Sequence, residues 1–331
     1  MSQPTVCLMM GPGTLPGQGA DRLDTLRYAP WASGKPNLTG HELLKALPEI
    51  AGFAKVEVHP GNPHPIATPD DLRRLALAMQ AVADDPRIDG IVFVQGTNSI
   101  EESAYFLNLT VRTDKPLVVT GAQRPFTALS SDGGMNLLDA VRVAAAPAAR
   151  GRGVLVVTNN EINAARDVTK TNTYRLQTFQ SRAVGILGYA DPDQIVFYRA
   201  VTRRHTRASE FDLTGVTAMP RVDVLYVFTG ANGDLARAAV QLGARGLVVA
   251  GSGAGSAGEL RKDLAAIAQQ GIVVVRSARV GEARVIRDDN WQEPGFVAAD
   301  NLNPQKAAML LTLALTRTSD PDEVQRMFGE Y

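Results

Sequence analysis

Short apolar runs, TVCLMM, GIVFVQG, PLVVTG and GVLVVTN, alternate along the chain with longer segments in which apolar residues recur every three or four positions. The first kind predicts strands buried on both faces and the second predicts helices, so the pattern is that of a parallel sheet covered on both sides. Thr68-Pro69-Asp70-Asp71 supplies an N-cap, a proline at the first helical position and acids in the first turn, and Leu72, Leu75, Ala76, Met79 and Val82 follow on one face. Thr39 and Glu42 have capping-box spacing before Leu43, Leu44 and Leu47, and Asn303-Pro304 precedes a long apolar helix near Ala307 to Leu315.

The polar stretch TRRHTRASEFDLTG breaks the alternation, which then resumes with VDVLYVF, a helix around Leu235 to Leu242, GLVVAGSGAGS and GIVVVRSARV. The predicted organisation is a larger N-terminal α/β domain over residues 1–201, a linker over 202–219 and a smaller C-terminal α/β domain over 220–331. A chain of 331 residues fits two such cores better than one.

Charge changes the picture by exclusion. Lys plus Arg and Asp plus Glu both total 34, so nothing in the balance points to nucleic acid or an anionic membrane as partner. No apolar run approaches the ~20 residues of a membrane span, and the N-terminus lacks the basic flank and cleavage site of a secretory signal. The chain therefore reads as cytoplasmic, with a small molecule as its ligand. Cys7 lies inside TVCLMM and is expected to be a buried thiol; with four histidines and no HExxH, no metal or other cofactor is expected.

In open parallel sheets ligands bind beyond the carboxyl ends of strands, so the loops that directly follow strands are where chemistry belongs. Gly11-Pro-Gly-Thr-Leu-Pro-Gly17 brings a hydroxyl and backbone N–H groups, and a polar run through Tyr28 follows it. In VFVQGTNSIEES, Thr97 and Asn98 precede a helix start, where Ser99 and Glu102 have capping-box spacing and Glu101 and Glu102 would favour the helix N-terminus. Gly121-Ala-Gln-Arg-Pro125 with Ser130, Ser131 and Asp132 forms a third loop. In the fourth, Lys170 sits among Thr169, Thr171 and Asn172 rather than on a charged face, a setting in which burial would lower its pKa and make it a general base.

Taken together, GTNSIEESAYFLNLTV, KPLVVTGAQRPFTALSSDGGMNLLDAV, RGVLVVTNNEINAARDVTKTNTYRLQTF, VVRSARV and NPQKAAMLLTLALT resemble, in order and over nearly the whole chain, the blocks of the bacterial asparaginase/glutaminase family of Thr-nucleophile amidohydrolases. The resemblance implies a flavodoxin-like parallel sheet in the large N-terminal domain, a smaller α/β C-terminal domain, and homotetramers built from close dimers with sites at the subunit interface. By position it assigns the nucleophile to Thr14 of GPGTL, the flexible-loop tyrosine to Tyr28, the second active-site threonine to Thr97 and the lysine to Lys170. It adds Gly13, Gly96 and Ala122 to the substrate-binding set.

The substrate-holding positions depart from the family pattern. Where the family carries the aspartate that binds the substrate's α-ammonium, this chain has Asn98; the Ser-Gln or Ser-Glu pair that should fall near His64 is missing; the asparagine of GxGNG is Ala254; and the late glutamate has only Asp288 or Asp289 nearby. A neutral amide in place of a carboxylate gives up roughly 1.5 to 3 kcal/mol toward an ammonium. The expectation is therefore an amidohydrolase for a small carboxamide lacking a free α-ammonium or carrying a substituted one, with Asn98 and His59 or His64 reshaping the pocket. The histidines also read as part of a rigid proline-rich surface loop. Two alternatives stand beside this reading: an ordinary L-asparaginase with a rebuilt pocket, and a non-catalytic homologue that binds a small ligand.

Overall fold

The computed structural model describes residues 3–61, 64–282, 284–287 and 295–331. Contacts divide the chain into one unit of Met1–Ser209 and a second of Glu210–Tyr331.

In the first unit, β1 (Thr5–Met10), β2 (Lys55–Val58), β3 (Gly90–Val94), β4 (Leu117–Thr120) and β5 (Val154–Thr158) pair in parallel in the order β5-β4-β3-β1-β2. The parallel pairing is what the apolar runs predict, and the order is the flavodoxin-like one that the resemblance implies. The runs are apolar throughout because both faces are covered: β3 and β5 are buried at every position. Helix α5 (Gly133–Ala145) lies on one face and packs Leu137, Ala140, Val141 and Ala144 into a core with Val6, Leu8, Val92, Val94 and Leu155. Helices α3 (Pro69–Asp84) and α4 (Ile100–Thr110) pack against each other and against β3, β4 and β5, whereas α1 (Pro30–Ser33) and α2 (Gly40–Ala46) are short. The capping box expected at Thr39 and Glu42 forms at the start of α2, and the N-cap expected at Thr68 is found at α3, where Asp71 completes a further box.

The sheet does not stop at its parallel core. β6 (Glu161–Ala164), β9 (Gly188–Ala190) and β10 (Ile195–Phe197) continue it antiparallel beyond β5, and β7 (Thr169–Lys170) and β8 (Phe179–Gln180) form a separate two-stranded hairpin. The β5–β6 reversal turns on Asn159 and Asn160, at φ of 54° and 62°. Two asparagines tolerate that left-handed geometry, and a turn of this kind matches the twist of the strands it joins.

The second unit holds a four-stranded parallel sheet in the order β11 (Val222–Tyr226), β12 (Gly246–Gly251), β13 (Val273–Ala278), β14 (Val297–Ala298). Helices α6 (Asp234–Gln241) and α7 (Arg261–Ala268) cover a core of Leu225, Leu247, Val249, Val274 and Leu264, and α8 (Pro304–Ala314) packs on β11, β12 and β13. Asn303 caps α8 by accepting from the Lys306 N–H at 3.1 Å, so the helix begins three residues before its apolar run. The stretch expected to be a linker is instead partly built in: Thr206, Ser209, Phe211 and Leu213 are all buried. Polar groups of Ser209 are satisfied by tertiary contact with the end of α4, Oγ by the Leu109 carbonyl and O by Arg112 Nη2 at 3.1 Å, which is why missing periodicity did not mean a solvated segment.

Helix α9 (Pro321–Glu330) and Tyr331 close the unit on its own first residue. The Tyr331 ring is fully buried against Phe211 at 5.0 Å, its hydroxyl donates to Glu210 Oε1 at 3.2 Å, and Arg326 Nη2 donates to both Glu210 oxygens at 2.9 Å. Tyr331→Ala is expected to cost about 3–5 kcal/mol, the scale of a large-to-small aromatic truncation, and Tyr331→Phe about 1 kcal/mol. Denaturant titration of the two variants checks the ordering; equal costs would mean that the hydroxyl, not the packed ring, holds this end.

Candidate active site

The switch point of the first sheet lies where the chain, having placed β2 on one side of β1, crosses to place β3 on the other. Met10 and Val94 are register partners, so the two chains leave the sheet at the same level. Gly11 N donates to Val94 O and Gly96 N to Pro12 O, each at 2.7 Å. Beyond them the loops touch backbone to backbone: a Cβ on Gly13 would lie 2.3 Å from Gly96 N and 2.4 Å from Gly96 Cα. Only glycine fits there. Thr14 and Thr97 are the residues that follow these two glycines.

Thr14 is buried, and its hydroxyl donates to Tyr28 Oη at 3.0 Å. Tyr28 is brought to it by a long loop that folds back on itself: Lys35 Nζ donates to the carbonyls of Gly19 and Ala20 at 2.8 and 2.9 Å, and Leu38 N to Pro16 O at 2.8 Å. The outer side of that loop exposes Leu23, Leu26 and Trp31.

Thr97 is also buried, and Lys170 Nζ donates to its Oγ1 at 2.8 Å. Lys170 reaches it from β7, half-buried, and burial holds its ammonium below the ordinary lysine range. Asn98, one residue on, is exposed. Helix α4 starts at Ser99 as expected, but the capping box does not form. Ser99 sits at ψ 18°, outside the extended geometry that aims an N-cap side chain at the first turn, and its hydroxyl makes no capping bond. Glu101 is buried rather than solvated at the helix start, with Oε1 3.5 Å from Lys170 N. The signal for this was the composition of α4, apolar around most of its circumference, which marks a helix buried on all sides.

The loop after β4 closes the third side. A Cβ on Gly121 would meet Gln95 O at 2.5 Å and Thr97 Cγ2 at 3.4 Å, and Ala122 beside it is buried. His64 is half-buried and tied to the end of β1 by its N–H, which donates to Met10 O at 2.9 Å; its ring lies 5.6 Å from that of His59. Burial, with the neighbouring His59 adding to it, lowers the His64 pKa, so the ring is neutral at pH 7. Asp288 and Asp289 lie outside the described residues. Ala254 is exposed in the loop after β12.

Of the residues singled out from sequence, Thr14 and Tyr28 meet, Thr97 and Lys170 meet, and Gly13, Gly96 and Ala122 belong to the loops around them; Asn98, beside Thr97, is exposed. One hydroxyl thus has a phenol and the other an amine within hydrogen-bond reach, the arrangement that proton transfer at a nucleophile requires. Among the described residues no group of three or more His, Cys, Asp or Glu could hold a metal ion, and no helix is long and apolar enough to cross a membrane.

Comparison with known proteins gives matching family models over both units: the asparaginase N-terminal domain over residues 5–203 and the glutaminase/asparaginase C-terminal domain over 221–328. The L-asparaginase 2 of Bacillus subtilis is 40% identical, covering 99% of this chain and 87% of that protein. The L-asparaginase 2 of Escherichia coli is 38% identical over 100% and 94%, and the glutaminase-asparaginase of Pseudomonas fluorescens 36% over 98% and 90%. Among solved structures, a probable cytoplasmic L-asparaginase from Campylobacter jejuni superposes with a TM-score of 0.90 at 37% identity, covering 99% of this chain and 100% of that one.

Proposed function

Because the chain belongs to the asparaginase/glutaminase family of amidohydrolases, we propose that it cleaves a small carboxamide through Thr14 and an acyl-enzyme, with specificity moved away from free L-asparagine. The observation that carries the chemistry is the pair of hydrogen bonds at the sheet's switch point, Thr14 to Tyr28 and Lys170 to Thr97. Thr14 Oγ1 attacks the amide carbonyl, and backbone N–H groups of the glycine-rich loops face the developing oxyanion. Lys170 and Thr97 move the proton that the attacking hydroxyl gives up and the leaving amine takes. Water then releases the acid from Thr14.

The specificity half of the proposal rests on Asn98 and His64. A zwitterionic substrate calls for a carboxylate at its ammonium; here the residue beside Thr97 is a neutral amide, and the histidine at the end of β1 is neutral as well. The test is ammonia release from L-Asn, D-Asn, L-Gln, succinamate and α-N-acyl asparagine. L-Asn turned over as well as the deaminated and acylated amides would sink the altered specificity. No turnover of any amide, with a ligand still bound, would instead favour a non-catalytic homologue.

A gain-of-function variant sharpens this. Asn98→Asp is expected to raise kcat/KM for L-Asn relative to succinamate by about ten- to a hundredfold, the yield of one charge-assisted bond. The same carboxylate, one residue from the hydroxyl that Lys170 touches, favours the ammonium form, so the limb on which activity rises with pH should move to higher pH. The ratio of kcat/KM on the two substrates reads the first effect, and a pH–rate profile on either one reads the second.

Tetrameric assembly and residence in the cytoplasm belong to the same proposal. The first is supported by the exposed apolar stripe Val224, Tyr226 and Phe228 on and beyond the edge strand β11, a face that a second copy would cover; the second by the description of the Campylobacter jejuni neighbour. Sedimentation and cell fractionation test them.

A further inference from the structure

Lys170 sits on a strand of two residues paired only with another strand of two residues. So short a ribbon does not hold a side chain in place by itself. Its two ends are pinned from outside. At the base, Ser181 Oγ donates to Asn163 Oδ1 at 2.7 Å, both side chains being buried. The tip, residues 171–178, is organised as one body, with Thr171 N donating to Thr178 O at 2.7 Å and Asn172 Oδ1 accepting from Tyr174 N and Arg175 N at 2.9 and 3.0 Å.

That body is held by Gln123, whose Nε2 donates to the carbonyls of Thr173 and Arg175 at 3.1 and 3.2 Å. Gln123 is itself fixed by Asp132, whose two oxygens accept the consecutive N–H groups of Gln123 and Arg124 at 2.9 Å each. Asn136, one turn into α5, donates to the same carboxylate at 3.1 Å and to Gly121 O at 2.9 Å, and its Oδ1 accepts from Asn159 N at 2.8 Å. Asp132 occupies the N-cap position of α5 yet makes no capping bond there. Its carboxylate is spent on the neighbouring loop.

We infer that Asp132 and Gln123 are positioning residues: a relay from α5 through the β4–α5 loop to the tip of the β7–β8 hairpin fixes Lys170 against Thr97. The inference rests on the proposed role of Lys170 in turnover, and its test separates the two. Gln123→Met keeps the shape of a half-exposed side chain and removes the donor; Asp132→Asn weakens the hub itself.

Two readouts do not depend on turnover: hydrogen exchange of peptides covering 169–180, and the rate at which acetic anhydride acetylates Lys170, both by mass spectrometry. In Gln123→Met each is expected to rise about tenfold, because opening the hairpin is what the two lost bonds oppose. For succinamate or L-asparagine, whichever the wild type turns over faster, kcat should fall about tenfold while KM stays within about twofold, as when a group is misplaced without losing substrate contacts. Wild-type exchange and acetylation in Gln123→Met would overturn the relay, and so would faster exchange with kcat unchanged. If Lys170→Met kept full activity, the proposed chemistry would fall, and exchange and acetylation would still judge the relay.

Discussion

Replacing Thr14 by alanine should lower kcat for amide hydrolysis by about 10⁴-fold or more, the scale at which removal of a nucleophile leaves only binding and oxyanion stabilisation behind. The variant is informative because it disturbs little else. Thr14 is buried at the mouth of a loop fixed by backbone bonds, Gly17 N to Thr14 O at 2.9 Å and Gly96 N to Pro12 O at 2.7 Å, and these do not use its side chain. The lost hydroxyl leaves the half-buried Tyr28 Oη short of one partner, at a cost of about 1 kcal/mol. Unchanged far-UV circular dichroism and a thermal midpoint within a few degrees, beside lost ammonia release, is the expected result. Peptide mapping by mass spectrometry of wild-type protein quenched during turnover should find the acyl group on the peptide that contains Thr14. Should Thr14→Ala retain activity within about tenfold, Thr97 becomes the better nucleophile, since it already touches an amine.

Lys170→Met should lower kcat by about 10²- to 10⁴-fold, the usual contribution of a positioned acid–base group. Methionine matches most of the lysine stem, so the hairpin keeps its packing. The sign of the accompanying pH effect follows from burial. Desolvation disfavours the ammonium and lowers the Lys170 pKa, so the wild-type limb that rises with pH should lie below the ordinary lysine range. In the variant that limb disappears. A group whose folded-state pKa is lowered also binds its proton less well folded than unfolded, so below the unfolded pKa it works against stability. The thermal midpoint of Lys170→Met at pH 7 is accordingly expected to equal or exceed that of the wild type. A limb that survives in Lys170→Met would assign proton transfer to another group.

What could be read in advance follows a physical line. Continuous apolar runs specify strands buried on both faces, and TVCLMM, GIVFVQG, PLVVTG and GVLVVTN all became central parallel strands. Caps whose residues meet through local geometry alone were equally legible, as at Thr68 and Asn303. Ser99 failed by the same logic, because the loop before it is held by β3 and by Gly13, and tertiary contact set a ψ that no local pattern encodes. The antiparallel strands β6, β9 and β10 are three or four residues long, too short for periodicity to separate them from loop, and only the paired asparagines at 159 and 160 marked the reversal. At the site, Thr14, Tyr28, Thr97 and Lys170, which the structure brings together in pairs, were visible through their place after strands and through the family resemblance. Gln123 was not: a glutamine that donates to two carbonyls fifty residues away leaves no trace in spacing.

The contact of Gly13 with Gly96 has a consequence for how such a protein can change. The interval between the two threonine-bearing loops is set by sheet register and by two residues without side chains, so it cannot be adjusted by ordinary substitution. On the proposed reading, what the enzyme accepts is set at Asn98 and His64, which stand outside that contact. A laboratory effort to redirect this chain toward a new amide would do well to leave both glycines untouched and randomise around them.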